Sequence, residues 1–258
     1  MKLLWPLINL LQLAAILTWN TVWITFAALA TLVTRNRDTA LIIARRWYAR
    51  PIFRILGARL EESPLPDLDW SRPYIFLMNH QSMVDIPVAF AVVPVNLRFV
   101  AKHTLKHIPF LGWYMSMTGM IFINRGKRHE ALRSLKEAGA RIREGASILA
   151  FPEGTRSRDG ALLPFKKGAF MLALESGVPI IPVVAEGSGR NFPAGTLFRI
   201  RPATIRVKLG APIQTQGRDA SERDALMQEV RDAMRALQAE LGVEIAPETE
   251  APKAAEAA

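Results

Sequence analysis

The longest pattern in the chain is an absence. No charged residue lies between Lys2 and Arg35, and Leu3–Thr34 is apolar almost throughout. As a helix this stretch would be about 48 Å long, more than the ~30 Å hydrocarbon core of a bilayer. A single straight span must therefore tilt strongly or begin after Pro6. Asn20 and Thr21, near the middle, mark a place for a break into two shorter helices that enter one leaflet and return. Trp5, Trp19 and Trp23 suit interfacial depths. Two other readings compete. Ala28-Leu29-Ala30 has the form of a signal-peptide cleavage site, although the run is longer than an ordinary signal core and continues past it. A helix buried in a soluble protein has the same composition.

After the apolar run the pattern changes to apolar residues interleaved with arginines. Leu41, Ile42, Ile43, Trp47, Ile52, Phe53 and Leu56 alternate with Arg45, Arg46, Arg50 and Arg54. This predicts a basic amphipathic helix over 39–56, lying on anionic headgroups, with a solvated linker helix as the alternative. Positive charge directly after a membrane segment places that flank, and the body after it, on the cytoplasmic side; the expected location is a bacterial-type inner membrane.

From residue 73 onward short apolar runs alternate with amphipathic stretches. Pro73–Met78, Leu97–Ala101, Gly119–Asn124, Ser147–Phe151, Val178–Val184 and Thr204–Leu209 read as strands. Pro179 and Pro182 mark their strand as an edge or irregular one. Arg128–Glu144 and Phe165–Ser176 read as helices stopped by Gly145 and Gly177. A final helix is capped by Ser221 with Asp224 and buries Leu226, Val230, Ala233, Leu237 and Leu241. Alternating strands and helices predict a layered α/β domain. The expected organisation is a membrane anchor over 1–34, a surface segment over 35–62, the α/β domain over 63–245 and a disordered Ala/Glu/Pro-rich tail over 246–258.

Charge narrows the partners. The 33 Lys and Arg outnumber the 23 Asp and Glu, for a net +10. Residues 219–258 are net −6, which leaves net +16 on 1–218. Such a body favours a polyanion: nucleic acid, an anionic bilayer or a phosphorylated substrate. The apolar N-terminus favours the bilayer. The chain has no cysteine, which excludes disulfides, zinc ribbons, iron–sulfur ligation and thiol nucleophiles.

The chemistry gathers at strand ends. Asn79-His80-Gln81-Ser82-Met83-Val84-Asp85 follows the first strand, where α/β folds place their sites. If the chain turns into a helix there, the Asp85 carboxylate can fold back onto the imidazole of His80. That arrangement sets the ring tautomer and makes the other nitrogen a base, while a purely structural hydrogen bond is the alternative. His103 and His107 are four apart, but Lys102 and Lys106 repel a cation there, so no metal is expected. Ser82 and Ser157 lack the flanking glycines of a nucleophile elbow. Phe151-Pro152-Glu153-Gly154-Thr155-Arg156-Ser157 follows another strand. There Gly154 permits close backbone approach, Thr155 offers a hydroxyl and Arg156 a fork suited to phosphate oxygens. A third strand ends in Arg125.

These blocks together resemble the lysophosphatidic acid acyltransferase family, the PlsC-like glycerolipid acyltransferases. The N-H-x-x-x-x-D block is similar to Asn79, His80 and Asp85. The block ending in arginine is similar to Ile121–Arg125. F-P-E-G-T-R-S is present at Phe151–Ser157, and a V-P-I-I-P-V run at Val178–Val183. Ala101-Lys102 with Ile108–Trp113 is similar to the segment between the first two blocks. The resemblance covers roughly residues 73–210 in order. It implies a layered glycerolipid-acyltransferase-type α/β domain behind a membrane-embedded helical motif. It further implies transfer of a fatty acyl group from acyl-CoA or acyl carrier protein to the sn-2 hydroxyl of lysophosphatidic acid, with no cofactor and no nucleic-acid partner. His80 would be the base and Asp85 its orienting partner. Arg125, Gly154, Thr155 and Arg156 would hold the acceptor phosphate, Glu153 would brace that turn, and Lys102 would be a further phosphate contact. Another acceptor, such as glycerol 3-phosphate or a lyso-aminolipid, and a membrane-tethered binding module without catalysis are the alternatives.

Overall fold

The structure is a computed structural model and describes residues 4–124, 128–196 and 199–243. The expected tail and Arg125 lie outside these residues.

The first element is one unbroken helix, α1 (Trp5–Thr34). The expected break near Asn20 is absent. Pro6 sits in the first turn, where its missing N–H is not needed. Asn20 is satisfied without a break, because its side-chain oxygen accepts from the Tyr48 hydroxyl at 2.6 Å. The reversal comes instead at Arg35, which adopts a left-handed conformation (φ 53°, ψ 21°). Asn36 then accepts from the Asp38 N–H and opens the returning helix.

That helix runs as α2 (Asp38–Ile43), a wide π-turn over Ala44–Tyr48 and α3 (Ala49–Leu56). Pro51 explains the widening, since its ring cannot sit under the carbonyl four residues back in a regular α-turn. The helix over 39–56 is thus as expected, but its apolar side faces protein. Ala40, Leu41, Ile43, Ala44, Ala49, Ile52, Phe53 and Leu56 are all buried, while Trp47 is exposed together with Arg46, Arg50 and Arg54.

Seven strands form one sheet in the order β1-β7-β6-β2-β5-β3-β4. They are β1 (Ala58–Glu62), β2 (Ile75–Met78), β3 (Leu97–Lys102), β4 (Ile121–Ile123), β5 (Ser147–Ala150), β6 (Ile180–Glu186) and β7 (Ala203–Leu209). Strand β1, assigned on sequence to the surface segment, is an edge strand parallel to β7. Its charged ARLEE sequence hides it from an apolar pattern but suits an exposed edge. The five strands β6, β2, β5, β3 and β4 run parallel, so their carboxyl ends share one edge.

β6 is interior and wholly buried, so of the two expectations its prolines raise, it is the irregular strand and not the edge one. The sheet tolerates Pro182 because it falls in a gap. The antiparallel ladder with β7 covers Val183–Glu186, and pairing resumes only at the Ile180–Ile213 bridge. Between them Gly210 lies against the proline ring and donates to the Pro182 carbonyl, so no N–H is required of Pro182.

Helices cover both faces. On one face α3, α4 (Asp85–Val92) and α5 (Leu111–Met117) pack around Phe76, Met78, Leu149 and Ile181. On the other, α6 (Arg128–Arg143), α7 (Gly168–Ser176) and α9 (Arg223–Glu240) pack around Ile75, Leu77, Ile148 and Ile180. A four-residue helix, α8 (Ser188–Asn191), follows β6. β2 feeds both cores by strand alternation, and full burial of a residue such as Phe76 contributes roughly 1.5–3 kcal/mol. The start of α9 differs from expectation in its cap. Asp219 and Glu222 form the capping box, and Ser221 donates to Asp219.

Candidate active site

The site grows from the carboxyl end of β2. Asn79 pins that end to β6 by pairing with both backbone groups of Ala185, donating to the carbonyl at 3.0 Å and accepting from the N–H at 2.8 Å. The next residue, His80, is thereby held at the strand end. Its backbone is fixed on both sides: its N–H donates to Glu153 Oε1 at 2.9 Å, and its carbonyl accepts from the Ser157 N–H at 2.7 Å.

Asp85 opens α4 and is fully buried. Its Oδ2 lies 2.8 Å from His80 Nδ1 and also accepts from the backbone N–H groups of Gln81 at 2.7 Å and Ser82 at 2.8 Å. Three contacts converge on this one oxygen, two of them from backbone N–H donors. With Oδ2 accepting, Nδ1–H is the donor to it, and Nε2 is the ring nitrogen that Asp85 does not engage. Phe151 stacks on the imidazole, with ring centroids 3.9 Å apart and planes 16° from parallel. Ring orientation is therefore set by a bond at one edge and a face contact.

The second block forms a turn after β5. Gly154 has φ 73°, a conformation that a side chain disfavours, and it exposes Thr155 beside half-buried Arg156. Glu153 points inward. Besides His80 N–H, it accepts from Leu163 N–H at 3.2 Å, so one carboxylate ties the end of β2 to the turn and to the segment after it. Burial pushes its carboxyl up to about 7, partly offset by those two N–H groups, with Asp85 adding a smaller upward push and Arg231 a smaller downward one.

A cleft of about 280 Å³ opens beside this constellation, lined by Met83, Arg156, Phe192, Pro193, Gly195 and Thr196. The structure thus brings together His80, Asp85, Glu153 and the Gly154–Arg156 turn. Lys102 is exposed at the end of β3, two strand spacings or about 10 Å from β2 across the sheet. β4, which precedes Arg125, ends at the same edge, while Arg125 itself lies outside the described residues. Sequence reasoning missed the clamp by Asn79, the stacking of Phe151 and the cleft wall at 192–196. Asn79 and Phe151 each carried a signal, as the first letter of its block, whereas the cleft wall carried none.

The parallel strands thus present, at one edge, a histidine paired with a buried carboxylate and an arginine-bearing turn. Comparison with known proteins gives the family. A family model described as Acyltransferase matches residues 58–186. A chloroplastic 1-acyl-sn-glycerol-3-phosphate acyltransferase of Brassica napus is 34% identical over 193 residues, covering 74% of this chain and 53% of that protein. The 1-acyl-sn-glycerol-3-phosphate acyltransferase of Saccharomyces cerevisiae is 37% identical over 167 residues, 63% of this chain and 54% of that one. The human 1-acyl-sn-glycerol-3-phosphate acyltransferase beta is 34% identical over 190 residues, 73% and 68% respectively. The match spans about half the length of the first two of these relatives. The crystal structure of PlsC, the 1-acyl-sn-glycerophosphate acyltransferase from Thermotoga maritima, superposes with a TM-score of 0.79 at 28% identity, over 96% of this chain and 100% of that one. The chain belongs to the lysophosphatidic acid acyltransferase family.

Proposed function

We propose that this protein transfers a fatty acyl group from acyl-CoA or acyl carrier protein to the sn-2 hydroxyl of 1-acyl-sn-glycerol 3-phosphate, giving phosphatidic acid. The observation that carries the reading is the His80–Asp85 pair, with Nδ1 engaged and Nε2 left to act. The names of the relatives point to the same acceptor.

In this mechanism Nε2 of His80 takes the proton of the acceptor hydroxyl as its oxygen attacks the thioester carbonyl. The new C–O bond forms, the C–S bond breaks, and the proton passes from Nε2 to the departing sulfur. Asp85 holds the tautomer and offsets the charge on the ring during transfer. A base so positioned contributes roughly 10²–10⁴ in rate. The Gly154-Thr155-Arg156 turn grips the acceptor phosphate and sets the hydroxyl against Nε2, a proximity effect. Lys102 would add charge at the same edge, and the resemblance gives Arg125 as a further phosphate contact. Glu153 touches neither substrate; it positions His80 by its backbone.

The membrane delivers both fatty substrates. α1 is a 30-residue apolar helix of mean hydropathy 1.6 with little of its length buried. It meets the domain near both ends, through Asn9 to Ile200 and through Ala27 to Ala40, Ile43 and Tyr114. These contacts are about 27 Å apart along the helix. A helix bound to its domain over that length favours lying in one leaflet over crossing the bilayer, with the arginine-rich return on the cytoplasmic face.

The test is thiol release from acyl-CoA by membranes carrying the protein, with and without lysophosphatidate, for wild type and His80→Ala. Release that requires the acceptor and is lost in His80→Ala is expected. Release without acceptor would indicate a thioesterase. Equal release with glycerol 3-phosphate would overturn the acceptor assignment.

A further inference from the structure

Between Arg98 and His129 the chain carries no Asp or Glu, and midway through this stretch it forms a tight knuckle. After β3 a short 3₁₀ turn covers His103–His107 and α5 begins at Leu111. Gly112 approaches so closely that a Cβ there would stand 2.1 Å from the Lys106 carbonyl oxygen, and its N–H donates to Ile108 at 2.7 Å. The packing drives Phe110 into φ 61°, ψ −57°, a conformation that is a true outlier for a bulky residue. The strain does not bury the ring. Ile108, Phe110 and Trp113 are 43%, 56% and 65% exposed, and the two aromatic rings lie 5.3 Å apart. Lys106 and His107 beside them are exposed too. Single exposed apolar residues are ordinary, but three on one rigid knuckle rimmed by cations are not.

Two observations name the occupant. The first is continuity. Tyr114, next to Trp113, packs against the cluster of Ala27 of α1 with Ala40 and Ile43, as does Ala30 of α1. The exposed Phe26, Leu29, Leu32 and Val33 of α1 lie in the same stretch of that helix. The second is charge, since the knuckle pairs apolar insertion with cations and has no carboxylate to repel phosphate.

We propose that residues 105–113 are a second membrane-insertion element. Ile108, Phe110 and Trp113 enter the upper acyl region of an anionic bilayer, and Lys106 and His107 lie among the lipid phosphates. The proposal rests on reading α1 as the anchor. The knuckle springs from the carboxyl end of β3, on the edge that carries His80, so its insertion turns that edge toward the lipid from which substrate must come. α1 alone would leave the domain free to roll about the helix axis; a second contact off that axis stops the roll.

The absence of native cysteine makes the test direct. Trp113→Cys, Phe110→Cys, Leu11→Cys on the outward side of α1, and Glu175→Cys on α7 of the opposite layer are each labelled with an environment-sensitive fluorophore. The full chain is reconstituted in vesicles of phosphatidylcholine with phosphatidylglycerol. Nitroxide lipids labelled at shallow depth, and iodide in the water, serve as quenchers. Labels at 113 and 110 are expected to lose most of their emission to the lipid quencher and to resist iodide, while 175 shows the reverse. Quenching at 11 with iodide-accessible labels at 110 and 113 would overturn the knuckle and leave the anchor standing. No lipid quenching at 11 would overturn both. Protection at 110 and 113 only after an acidic acyl carrier protein is added would also overturn the proposal, assigning the knuckle to a protein partner. Equal quenching in pure phosphatidylcholine would overturn the part played by Lys106 and His107.

Discussion

Asn9 and Asn79 perform the same act in two regions that are otherwise opposites. Each clamps both backbone groups of one distant residue, Asn9 on Ile200 and Asn79 on Ala185. Each is buried. Around Asn79 the apolar neighbours Leu77 and Met78 point into the protein. Around Asn9 they point out: Leu7, Ile8, Leu10 and Leu11 are exposed, and the polar Gln12 side chain turns inward to the Ile55 carbonyl. Trp19 likewise sends its indole N–H to the Tyr48 carbonyl. Around Asn79 the domain hides its apolar groups from water, whereas α1 turns its amide side chains and the Trp19 N–H inward and displays large apolar ones. The same hydrogen-bond chemistry thus serves two solvents, and the orientation of the side chains tells which solvent each region meets.

Four measurements would break or sharpen this contrast. The largest effect is expected at the edge held by Asn79. His80→Ala should reduce acceptor-dependent thiol release by roughly 10²–10⁴, with an unchanged circular dichroism spectrum. Retained activity would make the pair a structural bond only.

Next is Glu153, whose burial raises its carboxyl from 4.5 to about 7. A raised acid favours the folded state fully below the unfolded value, and that advantage is lost as pH rises toward the folded value. Wild-type unfolding free energy should therefore lose about 3 kcal/mol between pH 4.5 and 7 through this group. Urea titrations of Glu153→Gln should lack that decline; parallel pH curves for the two proteins would refute it.

The two clamps can then be compared directly. Asn9→Leu and Asn79→Leu each leave a buried N–H and carbonyl unpaired, at a cost of about 2 kcal/mol or somewhat more. In detergent both should lower the melting temperature. Only Asn79→Leu should also lower turnover per folded molecule, because it frees the strand end that carries His80. Equal turnover losses would show that α1 shapes the site as strongly as β6 does.

The smallest effect is expected at the surface. Arg50–Glu62 is a 2.8 Å pair with Arg50 more than half exposed. Arg50→Ala should change stability by less than about 1 kcal/mol and fade further in salt; a larger change in a denaturation midpoint would mean that its arginine face is held by more than water.

Much of this was legible in the chain itself. The strands β2 to β7 and the helices α6, α7 and α9 follow from short apolar runs and their stops. The His80–Asp85 pair follows from a strand end and a spacing of five, because both partners sit in one local turn. What escaped was set by distant partners. β1 is charged and is a strand only because β7 lies beside it. Pro182 looked like an edge signal, yet the sheet supplies a gap at that one position. Asn20 looked like a helix break, yet Tyr48 supplies the bond that lets the helix continue.

Local spacing and composition therefore determined the apolar N-terminal segment, the layered α/β class and which residue types carry the chemistry. These depend on interactions within a few residues, or on the transfer of whole segments between solvents. Tertiary structure alone decided that α1 continues past Asn20, which way it turns its amide side chains, and that Glu153 joins the His80 strand end to the Gly154 turn. Each of those rests on a hydrogen bond between residues far apart in sequence, and a backbone donor or acceptor leaves no mark in the sequence of its partner.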